Sequence, residues 1–423
     1  MLDLKFIREN PEAVAKGLSA KGVTLDLKEV LSLDAEKRSL QKESEELKAK
    51  RNSANDEIAS LKKQGKQTEV VISEMRSISQ KIGEIDAKVG EIAEKIDKIL
   101  LYIPNIPSND VPVSKGSEGN KVVRSWGNPR TFAHKIKDHL DLAGSLGWLS
   151  MEKGSKITGA GFPVYFGQGA RLERGLINLM LDLHIKKHGY TEVWPPAIVN
   201  RASMKGTGQI PKMEADMYAL AEEDTEAKGS YFLIPTAEVP VTNLLRDEIL
   251  DEKDLPIKYT AYTPCFRKEA GSYGKDTRGL SRVHQFDKVE MVKFVKPEGS
   301  EHELETLVKD AEDILQALEL PYRVVLLGSG DMSFAAAKCY DLEVWAPATK
   351  KWFEVSSCSL FKDFQARRMN IRYRNAKTKK AEFIHTLNGS GLALARIVLC
   401  LLENFQTENE RVEFPKALQT YLS

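Results

Sequence analysis

The sequence predicts an α+β fold, in which an N-terminal antiparallel α-helical coiled-coil hairpin precedes a larger domain built on an antiparallel β-sheet flanked by helices. Three observations lead to this prediction. Apolar residues repeat with heptad spacing before residue 104, a segment rich in proline, glycine, serine and asparagine follows, and strand-like and helix-like runs then alternate. Strands that cluster with helices at their margins are typical of α+β domains rather than of a parallel, doubly wound sheet.

Two apolar seams predict the N-terminal helices. Residues 71–103 carry Val, Met or Ile at alternating spacings of four and three, which is an uninterrupted heptad pattern. Residues 33–61 carry Leu or Ala every seven residues, with mostly polar companion positions. The polar turn KKQGKQTE, with Gly65 as a helix stop, separates the seams and favours a hairpin within one chain. A coiled coil between two chains is the alternative.

The segment PNIPSNDVPVSKGSEGNKVVRSWG, which follows Ile103, predicts a linker. Proline and glycine at this density cannot continue a helix. We therefore expect two domains, 1–110 and 111–423, and a chain of 423 residues is long enough for both.

Strands and helices of the second domain are predicted from runs with period-2 alternation and from longer runs with helical periodicity. The predicted strands are YFLIPTAEV, IKYTAYTPCF, QFDKVEMVKFV, YRVVLLG, YDLEVWAP and KWFEVSS. The predicted helices are 169–188, 300–319 and 391–406. Such strands suit an antiparallel sheet with one covered face.

Composition and charge exclude several classes of protein. The 62 Lys and Arg residues nearly balance the 61 Asp and Glu residues, so the chain is not a uniformly basic nucleic-acid binder, and any nucleic-acid surface must be local. The four cysteines form no C-x-x-C pair, which argues against a thiolate zinc site and favours a reducing compartment. No apolar run approaches transmembrane length, so we expect a cytoplasmic protein without membrane attachment.

The densest polar pattern spans residues 266–290 and predicts two strands joined by a glycine-rich loop. On the first strand, Arg267 and Glu269 place a cation and an anion on one face. The return strand carries Arg282, Phe286 and Glu290 every four residues, again on one face. Because a guanidinium can bind a phosphate and an aromatic ring can stack on a base, the pattern indicates a nucleotide site beside a polar substrate. A surface ion-pair ladder is the alternative.

Near the C-terminus, LNGSGLALARIVLCLLENFQ predicts a long apolar helix that opens with small residues and carries Arg396 in its first two turns. Small residues allow the backbone to approach a ligand or a neighbouring strand. An arginine on an apolar stretch is costly to bury unless an anion pairs with it, and a phosphate would supply that charge. A structural salt bridge is the alternative.

Three segments, taken in order, resemble the three motifs of the class II aminoacyl-tRNA synthetases. RLERGLINLMLDLHIKKHGYTEVWPP resembles motif 1, residues 267–290 resemble motif 2, and the Gly/Ala-rich turn with Arg396 resembles motif 3. IPTAEVP, GSYGKDTRGLSRVHQFDKVE and EVSSCSLFKDFQARR resemble the seryl-tRNA synthetase family within that class, over essentially the whole chain. Ala395 departs from a frequent glycine, and Tyr273 and Lys275 depart from a frequent Ala and Arg.

The resemblance implies a class II catalytic domain that uses ATP and L-serine to form seryl-adenylate and then serylates tRNA(Ser). Serylation of tRNA(Sec), Mg²⁺ dependence and a homodimer built through motif 1 are implied as well. In this chemistry the serine carboxylate attacks the α-phosphate of ATP. Positioning and charge neutralisation therefore matter more than a protein nucleophile.

The resemblance also implies roles for individual residues. Arg267 would hold the α-phosphate and the serine carboxylate, Phe286 would stack on adenine and Arg396 would hold the γ-phosphate, so the two arginines are the implied catalytic residues. The implied serine pocket comprises Thr236, Ala237, Glu238, Glu290 and Ser390. The implied ATP site comprises Arg267, Lys268, Glu269 (at the adenine end), Val283, Phe286, Glu354, Val355, Ser356, Ser357 and Arg396. Glu354 and Ser357, which offer the oxygen atoms that a hard cation prefers, are the implied magnesium ligands.

Three alternatives remain. A synthetase-like tRNA-binding or regulatory factor would usually have lost its phosphate-binding arginines, yet Arg267 and Arg396 are both present. A synthetase for threonine or proline would carry a further anticodon-binding domain, yet 27 residues follow Arg396. An amino-acid carrier-protein ligase of the same lineage would lack the long hairpin.

Basic residues gather at two places that could contact a tRNA. Residues 48–66 hold six bases and two acids, and residues 362–380 hold eight bases and one acid. We predict that the first patch grasps the body of the tRNA while the second guides its acceptor end. The alternative is that both are solvated faces.

Overall fold

The computed structural model describes residues 1–221, 231–269 and 278–422. The chain forms two compact units. One comprises Leu2–Ser19 and Val23–Pro104, and the other comprises Met1, Ala20–Gly22 and Asn105–Ser423.

The N-terminal part is helical. Its helices are α1 (Leu4–Glu9), α2 (Pro11–Ala20), α3 (Lys28–Lys63) and α4 (Glu69–Leu100). The two short helices were not predicted from the sequence. Asp3 begins α1 as its N-cap, because its carboxylate accepts hydrogen bonds from the backbone N–H groups of the first turn.

The predicted antiparallel hairpin is confirmed. Lys81 pairs with Glu43 at 2.7 Å, and Lys88 pairs with Glu36 at 2.8 Å. The two helices therefore run antiparallel to each other within one chain. In the turn between them, Gly65 has a φ of +66°, a conformation that glycine adopts without a steric penalty. The α4 seam is buried in its second half, at Ile82, Ile85, Ile92 and Ile96.

An eight-stranded sheet forms the centre of the second unit, within the described residues. The strands of this unit are β1 (Lys121–Trp126), β2 (Leu149–Ser150), β3 (Val164–Tyr165), β4 (Thr191–Glu192), β5 (Ile198–Asn200), β6 (Tyr231–Leu233), β7 (Ile249–Asp251), β8 (Ile257–Phe266), β9 (Gln285–Val295), β10 (Tyr322–Leu326), β11 (Lys338–Ala346), β12 (Lys351–Lys362), β13 (Arg372–Arg374), β14 (Ala381–Phe383) and β15 (His385–Ala393). The large sheet has the order β1-β10-β11-β12-β15-β9-β8-β4. All its neighbouring pairs are antiparallel except β4 with β8.

Helices cover this sheet and connect its strands. They are α5 (His139–Ser145), α6 (Met151–Ile157), α7 (Gln168–Lys186), α8 (Arg201–Thr207), α9 (Glu238–Asn243), α10 (Ser300–Ala317), α11 (Phe364–Met369), α12 (Leu394–Phe405) and α13 (Lys416–Gln419). The predicted α+β class is therefore confirmed. Among the described residues, no helix is both long enough and apolar enough to cross a membrane.

Apolar side chains of strand β9 project to both faces of the sheet. Val289 and Met291 belong to the main core, which also contains apolar residues of α7, α10 and α12. Val292 and Phe294 point to the other face and pack with residues of α9 and α11. Because side chains alternate along a strand, the even-numbered polar residues of β9 share this second face.

Several local predictions were wrong. In YFLIPTAEV only Tyr231–Leu233 is a strand, and helix α9 begins at Glu238. The helix predicted over 391–406 begins at Leu394, because the preceding residues pair with β9 as the end of β15. The last part of the predicted linker is β1, which pairs with β10. Residues 270–277, which include most of the predicted motif 2 loop, lie outside the described residues.

Candidate active site

Two adjacent strands bring two of the predicted serine-pocket residues together. Glu290 on β9 lies opposite Ser390 on β15 and opposite Ala261 on β8. The Glu290 side chain is fully buried. A buried carboxylate is costly without partners, so its neighbours determine what it can bind.

One hydrogen-bond donor and one ion-pair partner contact the Glu290 carboxylate. Asn388 Nδ2 donates to Oε1 at 2.7 Å, and Lys288 Nζ lies 2.5 Å from Oε2. Lys288 is itself only 4% exposed, and it also donates to Thr236 Oγ1 at 2.8 Å. The ammonium group of Lys288 therefore links two residues that were assigned to the serine pocket.

Thr236 and Glu238 come from the start of α9. The backbone N–H of Glu238 donates to Thr236 Oγ1 at 3.2 Å, just before the helix begins. Glu238 is 6% exposed, and burial, followed by the nearby Glu290 carboxylate, raises its pKa to about 7. Ala237 is buried among apolar residues and helps to fix this turn.

The predicted motif 2 residues Arg267 and Glu269 follow β8 rather than extending it. The strand ends at Phe266, and Glu269 has a φ of +50°, so the predicted alternation of side chains does not apply to Arg267 and Glu269. Each of these two side chains has a hydrogen-bond partner of its own. Arg267 Nε donates to the carbonyl of Pro235 at 3.3 Å, and Glu269 accepts from Arg282 at 2.5 Å.

Arg267 lies beside the predicted adenine-stacking residue. Its guanidinium carbon is 5.3 Å from the centre of the Phe286 ring, which is a cation–π contact. The adjacent Lys268 is exposed and its ammonium nitrogen is 5.7 Å from the centre of the Tyr218 ring. The structure thus brings Arg267 and Phe286 together.

Arg396 is the one residue of α12 that is not buried. Its Nε donates to the carbonyl of Ser281 at 3.1 Å, and a terminal nitrogen donates to the carbonyl of Glu354 at 2.6 Å. The same nitrogen is 3.4 Å from the Glu354 carboxylate. These contacts orient the guanidinium toward β12.

A β-bulge brings the predicted magnesium ligands to one face of β12. Glu354 and Ser357 are three residues apart, so a regular strand would direct them to opposite faces. In the structure, Ser357 pairs with Asp341 whereas Glu354 pairs with Glu343, which leaves Val355 as the extra residue. The Glu354 carboxylate and the Ser357 hydroxyl therefore share a face, and both are oxygen donors that fit Mg²⁺.

Three residues of the predicted ATP site have buried side chains with other partners. Val283 and Val355 pack in the main core. The Ser356 hydroxyl donates to the carbonyl of Ser390 at 2.6 Å. Contacts from these residues to ATP would therefore have to come from their backbones.

Sequence reasoning missed Lys288, Asn388 and Gln365. The signal for the first two was the period-2 alternation: Lys288 lies on the face of Phe286 and Glu290, and Asn388 lies on that of Ser390. Gln365 contacts Glu238 from helix α11, which is 127 residues away along the chain. No spacing pattern could have predicted that contact.

Two protein-family models match the chain. Residues 1–107 match the "Seryl-tRNA synthetase N-terminal domain", and residues 218–405 match the "tRNA synthetase class II core domain (G, H, P, S and T)". The chain is 53% identical to the serine–tRNA ligase of Chloroherpeton thalassium, over 100% of its own length and 99% of the relative. The chain belongs to the seryl-tRNA synthetase family.

Other seryl-tRNA synthetases agree in sequence and in structure. The serine–tRNA ligase of Carboxydothermus hydrogenoformans is 54% identical, over 100% of this chain and 98% of that one. The crystal structure of seryl-tRNA synthetase from Pyrococcus horikoshii complexed with ATP has a TM-score of 0.92 and 38% identity, over 100% and 98% of the two chains. The fold expected from the sequence is thus that of the seryl-tRNA synthetase family.

Proposed function

We propose that this protein is a serine–tRNA ligase that activates L-serine with ATP and transfers it to tRNA(Ser). The observation that carries the proposal is the arrangement of charge in the pocket. Glu238 and Glu290 contribute two carboxylates, and Lys288, at 2.5 Å from Glu290, contributes one ammonium group. When both acids are ionised, one net negative charge remains to receive the ammonium group of an amino acid.

The remaining groups fit the rest of serine. We assign the substrate hydroxyl to Glu290 and Ser390, which are direct partners on the neighbouring strands β9 and β15. We assign the substrate ammonium group to Glu238 and Thr236. The substrate carboxylate would lie against Arg267. Alanine would leave the Glu290 and Ser390 acceptors without their partner, and buried polar groups without partners discriminate strongly between substrates.

Activation would proceed by charge neutralisation. A serine carboxylate oxygen forms a bond to the α-phosphorus of ATP while the bond from that phosphorus to the leaving pyrophosphate breaks. Arg267, which lies beside the Phe286 ring, would bind the α-phosphate, and Arg396 would bind the γ-phosphate. Stacking on Phe286 would hold the adenine, with Glu269 at its far end.

Glu354 and Ser357 would hold Mg²⁺. Two protein oxygens completed by phosphate oxygens and water are a usual magnesium site in ATP-dependent enzymes. The metal would neutralise charge on the phosphates. The distance of 3.4 Å between Arg396 and the Glu354 carboxylate supports the proposal that Arg396 would contact the γ-phosphate beside the metal.

We further propose that residues 1–110 form a tRNA-binding arm, that residues 111–423 form the catalytic domain and that the protein is a homodimer. The exposed Trp194, which follows edge strand β4 in the predicted motif 1, supports the dimer. tRNA(Sec) is a proposed second acceptor, since the family generally serylates it. Four free thiols fit a reducing compartment, and we propose the cytoplasm.

ATP–pyrophosphate exchange with each of the twenty amino acids tests the proposal. Exchange should depend on serine and on Mg²⁺, and it should be far weaker with alanine, threonine and proline. Charging of tRNA(Ser) and tRNA(Sec) transcripts then tests each acceptor. Pyrophosphate exchange that does not depend on serine, or that is fastest with another amino acid, would refute the assignment of serine as the substrate.

A further inference from the structure

A buried amide lies behind the proposed serine pocket. Gln365, on α11, is 1% exposed. Its Nε2 donates to Glu238 Oε1 at 2.7 Å and to the carbonyl oxygen of Thr207 at 3.0 Å. Its Oε1 accepts from Thr386 Oγ1 at 2.8 Å. Helices α8, α9 and α11 and strand β15 are thereby joined at a single side chain.

The surrounding groups determine which end of the amide faces Glu238. The Thr207 carbonyl can only accept, so it requires the amide NH₂ group, and the opposite side of the amide must then be the oxygen that accepts from Thr386. The same NH₂ group therefore donates to Glu238. Glu238 must in turn present an acceptor oxygen, which favours its ionised form.

The neutrality of this donor has a consequence for charge. A lysine or arginine at the same place would cancel the charge of Glu238 and remove the attraction for an ammonium ligand. Gln365 instead stabilises and orients the carboxylate while leaving its charge in place. Asn388 has the same relation to Glu290, to which it donates at 2.7 Å.

We propose that Gln365 is a positioning residue for amino-acid binding, which commits one oxygen of Glu238 so that the other faces the substrate ammonium group. This inference rests on the proposed serine pocket and extends it to a residue that does not touch serine. Burial and Glu290 raise the pKa of Glu238 to about 7, so the amide donor acts where the carboxylate is most in need of stabilisation.

The test compares two variants that each remove buried hydrogen bonds from the same network. Gln365→Met keeps the volume but removes the donor to Glu238, whereas Thr386→Val removes a neighbouring bond and retains that donor. In ATP–pyrophosphate exchange, Gln365→Met should raise the KM for serine about tenfold or more, with the KM for ATP changed less than about twofold. Thr386→Val should leave both constants within about twofold at a comparable loss of Tm.

The pH dependence separates positioning from general damage. The charged groups facing Glu238 are Glu290 and Lys288 from β9 and Arg267 after β8. In Gln365→Met, Glu238 loses its amide donor and its carboxyl should ionise at higher pH than in the wild type. Serine binding by this variant should therefore improve more than wild-type binding as pH rises from about 6 to 8.5. Gln365→Glu should show the opposite trend, because only its protonated form can donate to Glu238. This second variant keeps the test decisive if Gln365→Met does not fold.

The outcomes distinguish this inference from the proposed function. Wild-type protein without serine-dependent exchange would overturn the proposed function and this inference together. Normal wild-type exchange with an unchanged serine KM in Gln365→Met would overturn the inference alone. Equal effects of Gln365→Met and Thr386→Val on serine KM, with parallel pH profiles, would reduce Gln365 to a structural residue.

Discussion

Glu290 and Ser390 lie directly opposite each other on the antiparallel strands β9 and β15. Because opposite residues on neighbouring strands project to the same face, the carboxylate and the hydroxyl lie on one face of the sheet. Asn388 and Lys288 hold the carboxylate in place.

Glu290→Ala should reduce serine activation by at least about 10³-fold while the KM for ATP changes little, because Glu290 is proposed to contact the amino acid and not ATP. Exchange assays with varied serine and varied ATP measure the two effects. Glu382→Ala, which removes an acid on β14 outside the pocket, is the control. Normal serine activation by Glu290→Ala would disprove the pocket assignment.

Arg396→Ala and Arg267→Ala should each lower the rate of adenylate formation by about 10²-fold or more, since each guanidinium is proposed to act on phosphate charge that develops in the transition state. Tm and tRNA binding should remain close to wild type. Arg278→Ala is a matched control, because Arg278 is exposed and pairs only with Asp138 and Asp141 among the described residues. Near-normal exchange in Arg396→Ala would return that arginine to a structural role.

Serine binding should strengthen as pH rises from about 6 to 8. Glu238 has a pKa raised to about 7, and only its ionised form attracts the ammonium group, so below that pH affinity should fall up to about tenfold per unit. Calorimetry in buffers of different ionisation enthalpy should detect a proton released on serine binding. The KM for ATP serves as the internal control, and Glu238→Gln should abolish the pH dependence. A flat profile in the wild type would contradict the assignment of Glu238.

The same shift affects stability. A carboxyl whose pKa is higher in the folded state than in the unfolded state stabilises the fold below its unfolded pKa, and this contribution is lost as pH rises through about 7. The free energy of unfolding of the ligand-free protein should therefore decrease as pH rises from the unfolded-state pKa of the carboxyl to about 7. Saturating serine should offset the decrease, which thermal denaturation with and without serine can measure.

Deletion of residues 1–110 should leave a dimer. We expect the interface to be built by residues 171–196, which include most of α7, edge strand β4 and the exposed Trp194. Sedimentation equilibrium of the deleted and full-length proteins gives the answer. A protein that becomes monomeric on deletion would show that the hairpin, and not motif 1, holds the subunits together.

Deletion of residues 35–90, closed by a short turn, should leave serine activation intact while charging of tRNA collapses. The hairpin is a separate compact unit, so its loss does not remove any residue of the proposed pocket. Replacement of the six basic residues in 48–66 by glutamine should make the salt dependence of tRNA binding shallower, because fewer counterions are released. Near-normal charging by the deletion variant would mean that the arm has another purpose.

A milder test addresses the second basic patch. Lys377, Lys379 and Lys380 are exposed. Their replacement by glutamine should weaken tRNA binding without altering pyrophosphate exchange, because they lie outside the proposed pocket. Unchanged tRNA binding would identify this patch as a solvated face.

Much of this protein was determined by local pattern. The heptad seams and Gly65 predicted the hairpin, and the strands 257–266 and 285–295 were predicted with the bounds observed. These elements succeed because their stability comes from side chains at regular intervals, which a sequence displays directly. Arg267, Phe286 and Arg396 were recognisable because the segments that carry them resemble motifs 2 and 3 of the class II synthetases.

Tertiary structure determined the features that the periodicity of the sequence did not predict. The bulge at Val355 places Glu354 and Ser357 on one face, and pairing with β9 extends β15 to Ala393, where helical periodicity alone predicted a helix. Gln365 reaches Glu238 across 127 residues because α11 and α9 pack on the same face of the sheet. Contacts of this kind depend on the register of strands and on the burial of polar groups, and these are properties of the assembled sheet rather than of any one segment.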